Sequence, residues 1–427
     1  MTWNEQNIAY LPVDKSWTGG CNKDLKMHRI HKYPAKFSPF IVERSLQLLK
    51  KRKKEIKVVA DVFCGCGTTA LETKRLGLGF WGCDINPVAT LITKVKTSTY
   101  SEDKLREYFR EIMALYNLDK KNCSLECINP RIKYWFDEKT MLELIALQRA
   151  IENKVMEKKY NDFFICCFSN ILKETSRWLA KSIKPQIDPK KIPASVEKQF
   201  SKQFKYMLGA STQLVESIPK NSPEPHIHTG NFLEINFERP FVDLIITSPP
   251  YVTSYEYADI HQLSTLWLGF SENYRELREG TIGSVHKKLE APKQPIVLAE
   301  YEKTIITRLE KKDPRRANSI RRYFQDMRRS IEKMYAMLKA GGAAVIIIGN
   351  TKYRGVYVNN AKCISNYLKE SGFIQIQIRK RRIMGKTLTP YRDNIGRFSK
   401  NKRIKVYRHE FIVSAEKEIT GIRGCRS

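Results

Sequence analysis

Two short stretches of the sequence combine residue types that can do chemistry with positions at the ends of strand-like runs. The first, Asp61-Val-Phe-Cys-Gly-Cys-Gly-Thr68, lies between an apolar run and a helical pattern. Glycines at such a junction allow a tight turn and let the backbone approach a ligand closely. The second, Thr247-Ser-Pro-Pro-Tyr251, closes the most apolar run, Phe241–Ile246. Two prolines cannot continue a central strand, so this stretch leaves the sheet at its carboxyl edge, where open α/β sheets bind ligands.

The residues around the first stretch indicate the chemistry of its ligand. Asp84 ends a second strand-like run, 17 residues after Gly67, and an acid at about that spacing accepts hydrogen bonds from ribose hydroxyls. The nicotinamide fingerprint is absent, because Ala70 stands where its third glycine is needed. The Asp61 carboxylate would repel a pyrophosphate and suits a ligand with an ammonium group. We therefore expect S-adenosylmethionine (SAM) as the cofactor.

A third stretch, His31–Pro39, precedes a helix that begins near Phe40. Pro34 and Pro39 stiffen this approach, because proline fixes its own backbone angle, and Phe37 could contact the cofactor. A packed N-terminal arm explains the same residues equally well, so both interpretations stay open.

The second stretch carries the groups that an exocyclic amino group of a nucleobase requires. The Ser248 hydroxyl can donate or accept a hydrogen bond, the carbonyls around Ser248 and Pro249 accept, and Tyr251 presents a flat ring. Acceptors orient the amino hydrogens, and the ring supports stacking of the base. A turn without function is a common explanation for Pro-Pro alone, but not for this pentapeptide at the end of a buried strand.

Strand-like runs alternate with helical patterns through the chain. Apolar positions from Ile320 to Leu338 recur at steps of three and four residues and predict a helix that Gly341-Gly342 stops. Near-continuous apolar strands that alternate with helices predict a mostly parallel sheet covered on both faces. Phe373–Ile378 and Val406–Val413 are expected to close it as an antiparallel pair. The central strands are expected at Lys57–Phe63, Gly79–Asp84, Phe241–Ile246 and Ala343–Gly349.

Two segments exceed the normal connections of such folds, which run to about six residues. Residues 95–225 have mainly helical patterns, and residues 252–312 begin with a helix and continue as turn-rich sequence. We expect both to be inserts into one catalytic domain. The predicted organisation is a cofactor-binding half with an N-terminal arm at 1–95, a helical insert at 96–225, a catalytic half at 226–417 and a tail at 418–427.

The net charge of +31 points to a polyanionic partner, with nucleic acid first. The clearest excess lies between Arg379 and Arg408, where twelve basic residues stand against Asp393. Lys50–Lys54 and Lys311–Lys333 are further basic blocks, and a solvated helix surface explains the former well. Because the first block flanks a Gly/Pro/Asn-rich loop at 384–405 with interleaved aromatics, it is the predicted DNA contact. The candidate DNA-binding residues are Arg379, Arg381, Arg382, Arg397, Lys400, Lys402 and Arg403.

Several classes of protein are not expected. The apolar runs fall short of the roughly 18 residues that a membrane span needs, and no secretory signal is visible at the N-terminus. The ten cysteines are irregularly spaced and form neither a CxxC pair nor a zinc pattern, so we expect reduced thiols, no metal and a cytoplasmic, nucleoid-associated protein of prokaryotic origin.

These motifs together resemble those of the amino-group DNA methyltransferases, over roughly residues 28–95 and 228–415. Asp61–Thr68 is similar to their cofactor loop, Asp84 to their ribose-binding acid, and Thr247–Tyr251 to their catalytic motif. His31–Pro39 is similar to the preceding cofactor motif. The resemblance implies a Rossmann-like SAM-dependent methyltransferase fold, a seven-stranded, mostly parallel sheet with an antiparallel closing strand and large helical inserts.

The resemblance also implies roles for individual residues. The catalytic residues would be Ser248, Pro249, Pro250 and Tyr251, with direct attack of the amino nitrogen of a flipped-out base on the SAM methyl group. His228–Phe232 is similar to a strand whose last residue is usually Asp; here it is Asn231, whose amide oxygen can still accept from adenine. The implied cofactor residues are Phe37, Asp61, Phe63, Cys64, Gly65, Gly67, Thr68, Asp84, Ile85, Asn231, Phe232 and Thr247.

The catalytic motif has Ser248 before Pro-Pro-Tyr in place of Asp, and in this it resembles the motif of the family branch that methylates cytosine N4. The expected substrate is double-stranded DNA, and a cognate restriction endonuclease is an expected partner. Three other hypotheses are open. The enzyme could methylate adenine N6, it could act on RNA, which is weaker, or the chain could be a non-catalytic DNA-binding protein. Methylation at cytosine C5 is disfavoured, because it needs a Pro-Cys pair that the sequence lacks. The recognition region could be 95–225, 252–312 or the basic loop, and the oligomeric state stays open.

Overall fold

The computed structural model describes most of the chain. The described residues are 8–19, 24–34, 36–50, 55–120, 124–125, 128–252, 257–284, 298–384, 391–392, 399, 401, 404–405 and 408–419.

A seven-stranded sheet forms the centre of the protein, with strand order β3-β2-β1-β4-β5-β11-β8. Strands β1 to β5 run parallel, whereas β11 is antiparallel to both β5 and β8. This confirms the predicted mostly parallel sheet with an antiparallel closing strand. The strands are β1 Val58–Asp61, β2 Gly79–Asp84, β3 His226–Thr229, β4 Val242–Thr247, β5 Leu338–Ile348, β6 Thr351–Tyr353, β7 Val356–Val358, β8 Ile374–Arg382, β9 Tyr391–Arg392, β10 Ile404–Lys405 and β11 His409–Glu416.

Helices cover both faces of the sheet, as alternating elements predict. Several begin at a side-chain cap that the sequence places there, as at Asn86 before α3 and Asp313 before α12. The helices are α1 Phe40–Lys50, α2 Thr68–Arg75, α3 Pro87–Thr97, α4 Glu102–Asp119, α5 Pro130–Trp135, α6 Glu138–Lys154, α7 Lys158–Thr175, α8 Val196–Ser217, α9 Tyr257–Ile260, α10 Gln262–Trp267, α11 Glu300–Glu310, α12 Pro314–Met337 and α13 Asn360–Glu370.

The strand order reverses direction between β1 and β4. From β1 the chain builds outward through β2 and β3, and it then returns to add β4 and β5 on the other side. A reversal of this kind opens a crevice at the carboxyl ends of the two strands. Asp61 ends β1 and Thr247 ends β4, so both predicted motifs emerge beside this crevice.

The helical insert shares a hydrophobic core with the cofactor-binding half. Side chains of α4 to α8, such as Trp135 and Phe164, belong to one buried cluster with Leu71 of α2 and Ile92 of α3. Polar contacts cross the same boundary, since the His31 ring is 3.0 Å from the Ser169 hydroxyl. The insert is therefore packed into the fold. The predicted domain boundaries themselves stay a prediction.

The glycine pair at 341–342 has a different place from the one that the sequence suggests. Helix α12 ends at Met337, and β5 begins directly at Leu338. Gly341 adopts φ +72 within this strand, where the pairing with β4 is irregular. The pair therefore accommodates an irregularity in β5 and does not stop the helix.

Candidate active site

The turn after β1 is held in a conformation that requires glycine. Gly65 and Gly67 have φ of +49 and +73, a region that costs other L-residues about 1–2 kcal/mol. A Cβ on Gly67 would lie 2.6 Å from Thr93 Cγ2. The Thr93 hydroxyl donates to the Gly65 carbonyl at 3.0 Å. The loop is thus fixed against α3, with Cys64 and Thr68 buried behind it.

Asp84 reaches back to the same loop from the end of β2. Its carboxylate accepts from the Gly65 amide at 2.8 Å and from the Asn86 amide at 2.9 Å. Burial raises the pKa of Asp84 to about 6, although both amide hydrogen bonds lower it. Asp84 and the next residue, Ile85, line a cleft with Gly65, so an acid and an apolar side chain face the same space.

Asp61 is placed differently from the expectation that it faces a ligand. It is 1% exposed and does not line the cleft. The hydroxyls of Thr247 and Thr69 donate to its carboxylate at 2.6 and 2.7 Å, and the Phe63 amide donates at 3.2 Å. Burial raises its pKa to about 6. Asp61 therefore ties the cofactor loop to the catalytic stretch, and Thr247 is the other end of that tie.

Asn231 follows β3 and lines the cleft. Its amide oxygen accepts from the Leu233 amide at 3.0 Å, and its nitrogen donates to Glu234 at 2.9 Å. A carbonyl oxygen has two lone pairs, so it can still accept from a ligand. Phe232 lies beside it in the cleft and contacts Phe63 edge to face at 6.2 Å.

The catalytic stretch presents its side chains to the cleft. Ser248, Pro250 and Tyr251 line it, while Pro249 is buried. The Ser248 hydroxyl donates to the Ile347 carbonyl of β5 at 3.0 Å. Because its single hydrogen is used there, its lone pairs are left to accept.

The Tyr251 ring is seated by two residues that the sequence does not single out. It packs on Gly349, where a Cβ would lie 2.6 Å from the ring. Its hydroxyl donates to Glu410 of β11 at 3.1 Å. The sequence around Gly349 or Glu410 does not indicate this role. Both residues are distant from Tyr251 along the chain and come close to it only because of the strand order of the sheet.

Arg381 is a correction to the predicted DNA contacts. It is 2% exposed and donates to Glu410 at 3.0 Å, so a phosphate cannot reach it. Arg379 is partly buried and donates to Gln377 at 2.6 Å, whereas Arg382 is exposed. The alternation of side chains along β8 gives these neighbours opposite environments. Arg397, Lys400, Lys402 and Arg403 lie outside the described residues.

Tyr33 has the position in the cleft that was expected of Phe37. The Tyr33 ring lies 3.5 Å from the Cβ position of Gly65 and stacks on His261 with centroids 4.9 Å apart. Phe37 packs on a separate cluster with Ile41 of α1. The spacing within His31–Pro39 could not distinguish the two rings.

A loop from the second insert forms the opposite wall of the cleft. Gly283 has φ +72, and its Cβ would lie 2.8 Å from Tyr323 Cβ. Its amide donates to Asp326 at 3.0 Å, and its carbonyl accepts from Ser319 at 2.6 Å. Three successive turns of α12 thus hold the loop in place. The wall residues that sequence reasoning missed are Gly280, Thr281, Ile282, Gly283, Ser284, Arg316, Ser319, Ile320 and Tyr323.

The assembled cleft has the donor set for SAM beside a planar target. Its empty volume is about 1130 Å³ and it opens to solvent. Asp84 offers a carboxylate for ribose hydroxyls, and Ile85 and Phe232 offer apolar surface for a purine. Gly65 adds backbone, and the Tyr33 ring lies 3.5 Å from its Cβ position. Ser248 and Tyr251 line the same cleft as Asp84 and Gly65, so both predicted motifs face one space.

A family model described as DNA methylase matches residues 3–95 and 242–420. The matched ranges contain the cofactor loop, the catalytic stretch and every strand of the seven-stranded sheet except β3. The chain belongs to this DNA methylase family. It is a SAM-dependent DNA methyltransferase, and SAM is its cofactor, as the sequence predicts.

Similar proteins share most of the length of this chain. Type II methyltransferase M.MvaI of Kocuria varians is 25% identical over 393 residues, covering 86% of this chain and 84% of that protein. Type II methyltransferase M.AvaI of Nostoc sp. is 23% identical over 392 residues, covering 82% and 80%. A SAM-dependent methyltransferase structure from Methanosarcina mazei aligns at 9% identity with a TM-score of 0.31, covering 87% of this chain and 97% of that one.

The described residues include neither a helix that could span a membrane nor a cluster of metal-binding side chains. No helix within the described ranges is long and apolar enough to cross a membrane. Among the same residues, no group of three or more His, Cys, Asp or Glu side chains is arranged to hold a metal ion.

Proposed function

We propose that this methyltransferase modifies the N4 amino group of cytosine at a specific site in duplex DNA. The observation that carries the proposal is Ser248 at the head of Ser-Pro-Pro-Tyr, with its hydroxyl hydrogen engaged by Ile347. Serine in this place resembles the cytosine-N4 branch of the family. Relatives that are named Type II methyltransferases support a place in a restriction–modification system.

The cleft residues act on the amino group chiefly by orienting it. The lone pairs of Ser248 and the Pro249 carbonyl accept the amino hydrogens, which turns the nitrogen lone pair toward the cofactor side of the cleft. When bound, SAM would supply the methyl group: the amino nitrogen takes it from the sulfonium, the C–S bond breaks to leave the neutral thioether, and the nitrogen loses one proton to solvent. Holding both reactants in this geometry lowers the barrier, because alignment replaces a bimolecular encounter.

The Tyr251 ring supports the base during this step. A base cannot reach the cleft while it is stacked in a duplex, so the target nucleotide must flip out. Gly349 lets Tyr251 lie close to β5, and Glu410 holds its hydroxyl. A ring fixed in this way offers a stacking surface that is already in position when the base arrives.

Nucleoside analysis tests the proposal directly. The protein is incubated with labelled SAM and duplex DNA of varied sequence, and the product is digested to nucleosides. We expect label in N4-methylcytosine. Label in N6-methyladenine would assign the alternative target, and label in RNA alone would reject a DNA substrate. A duplex with 2-aminopurine next to the target cytosine tests flipping, since its fluorescence should rise on binding when the target leaves the stack and stay low if the target remains stacked.

A further inference from the structure

The hairpin β6–β7 lies at the catalytic edge of the sheet. It follows β5 along the chain. The Ile347 carbonyl of β5 accepts from the Ser248 hydroxyl, and Gly349, directly after β5, packs against the Tyr251 ring. Asn350 continues this path, because its side chain donates to the Tyr357 hydroxyl at 2.7 Å. The hairpin is therefore continuous with the part of the cleft that we assign to the base.

The first turn of α12 is locked to the tip of this hairpin. Asp313 accepts from the Tyr353 hydroxyl at 2.8 Å. Arg354 donates to the Lys312 carbonyl at 2.7 Å, and Lys312 donates to the Arg354 carbonyl at 3.1 Å. These reciprocal bonds make the two elements one rigid unit.

Arg316 projects from this unit into the cleft. Its guanidinium lies over the Tyr353 ring at 5.5 Å, and it lines the same cleft as Tyr251. Its Nε is buried and has no hydrogen-bond partner among the residues that the structure describes. Because Arg316 as a whole is only partly buried and lines the cleft, a guanidinium held against the ring can offer donors to a phosphate there.

Further cations lie on the same two elements as Arg316. Lys311 and Arg315 flank the start of α12, and Lys352 lies in β6; all three are exposed, and among the described residues no side-chain partner is found for them. The nearby acid Asp313 is already engaged by Tyr353 and Arg354. The positive charge of these three side chains is therefore available to a ligand.

Both residues in the turn of the hairpin have left-handed backbone conformations. Arg354 has φ +46 and precedes Gly355 at φ +82. A two-residue turn of this kind prefers Asn-Gly, since arginine in the left-handed region is strained by about 1–2 kcal/mol. The bonds of Arg354 to the Lys312 carbonyl and to Asp313 offset this strain and hold the turn against the start of α12.

We propose that this unit binds the DNA backbone around the target base. Arg316 contacts the phosphate of the flipped nucleotide, while Lys311, Arg315 and Lys352 contact neighbouring phosphates of the duplex. The assignment of Arg316 rests on the proposed base flipping, whereas that of the three exposed cations requires only that the enzyme binds DNA. Its residues are not part of the Arg379–Arg408 block of the sequence.

Salt dependence of duplex binding tests the exposed cations. Each phosphate contact contributes about 0.9 to the slope of log K against log salt, so the triple variant K311Q/R315Q/K352Q should lose about 2.7 from that slope. The matched control K57Q/K220Q/R239Q removes three exposed cations that precede β1, β3 and β4, at the opposite edge of the sheet. It should retain the wild-type slope. Equal slopes for the two triple variants would overturn the proposal.

A neutral phosphate tests Arg316. Duplexes carry a methylphosphonate in place of a phosphate on either side of the target nucleotide, and kcat/KM is measured for wild type and R316Q. At one of the two positions, the methylphosphonate should lower kcat/KM of the wild type by about tenfold or more, relative to the unmodified duplex. The same substitution should hardly change kcat/KM of R316Q. Fully additive losses at both positions would show that Arg316 does not contact this phosphate. SAM binding by both proteins, measured by calorimetry, should be equal, which excludes a folding defect.

Failure of the proposed function and failure of the phosphate contacts give different results. If wild type methylates adenine, or does not raise 2-aminopurine fluorescence, the proposed function fails while the slope comparison still tests the exposed cations. If wild type methylates cytosine and the triple variant keeps its slope, only the surface assignment fails.

Discussion

Tyr251 carries two separable contributions, its ring and its hydroxyl. The ring packs on Gly349 and faces the cleft, whereas the hydroxyl donates to Glu410. Substitution can remove one while keeping the other. The predicted cofactor residues Asp84, at the end of β2, and Phe232, after β3, belong to other segments of the chain than Tyr251, so neither change should disturb them directly.

We expect Tyr251→Ala to lower methyl transfer far more than SAM binding. Stacking of a base on an aromatic ring contributes about 1–3 kcal/mol, which corresponds to about 5- to 150-fold in kcat/KM for DNA. Tyr251→Phe keeps the ring and should retain most activity. Steady-state kinetics and calorimetric SAM binding measure both quantities. An equal loss of SAM affinity and of turnover in Tyr251→Ala would contradict a stacking role.

Asp84 predicts a pH dependence of cofactor binding. Its pKa is raised to about 6, so it loses its charge as the pH falls through 6, and SAM affinity should then fall by up to about tenfold per pH unit. Above pH 7 the affinity should be constant. Asp84→Asn should bind weakly with a flatter profile, and Asp61→Asn serves as the control, because Asp61 has a similar pKa but does not line the cleft. If SAM affinity still fell steeply with pH in Asp84→Asn and was independent of pH in Asp61→Asn, Asp61 and not Asp84 would be the group that controls SAM binding.

Arg381 and Arg382 are adjacent, yet their substitution should have opposite consequences. Arg381→Gln leaves Glu410 without its buried partner, and we expect the free energy of unfolding to fall by on the order of 3 kcal/mol. Arg382→Gln removes only an exposed cation and should leave stability within about 0.5 kcal/mol. Chemical denaturation measures the difference. Similar stabilities for the two variants would contradict the buried ion pair.

The residues that the sequence could predict are those within short local motifs. Gly65, Gly67, Asp84 and the catalytic stretch are recognisable because a strand end, a turn and a helix start follow one another directly. Gly349 was missed because its role depends on a neighbouring strand. The DNA-contact prediction at Arg381 was wrong for a related reason, since a charge count does not show which face of a strand a side chain occupies.

At the scale of elements, the loop from Gly280 to Ser284 is positioned by α12. Its sequence is turn-rich and carries no motif, so its place in the cleft could not be predicted from periodicity. The amphipathic pattern of α12 was recognisable, but it indicated only which face is buried. The contacts of Ser319 and Asp326 with Gly283 come from polar positions that this pattern leaves unassigned.

We expect Gly283→Ala to detach this loop from α12. The added Cβ meets Tyr323 at 2.8 Å in a left-handed backbone conformation, so both strain and overlap oppose it. Gly269→Ala is the matched control, because Gly269 has φ +64 with no atom within 4 Å of its Cβ position. Gly283→Ala should be less stable than the control by about 1–3 kcal/mol and should bind SAM more weakly, since Gly280 contacts Ile85. Equal SAM affinities would separate the loop from the cofactor site.

At the scale of the whole molecule, the insert and the cofactor-binding half depend on each other. Leu144 of α6 and Val88 of α3 lie in one buried cluster, and residues of α10 complete it. The Trp135 indole donates to Gln262 at 3.2 Å, so both inserts also meet each other. A chain segment that the sequence presents as an addition is thus part of the main core, because helical periodicity shows that a face is buried but not which partner covers it.

A shared core predicts a single unfolding transition for the insert and the cofactor-binding half. Leu144 is fully buried, and truncation to alanine should cost about 2–5 kcal/mol. If the two parts unfold together, Leu144→Ala lowers one common melting temperature, and saturating S-adenosylhomocysteine raises it, although Leu144 does not line the cleft. Scanning calorimetry with and without this ligand measures both shifts. Two transitions, of which the ligand moves only one and Leu144→Ala only the other, would show that the insert folds independently of the cofactor site.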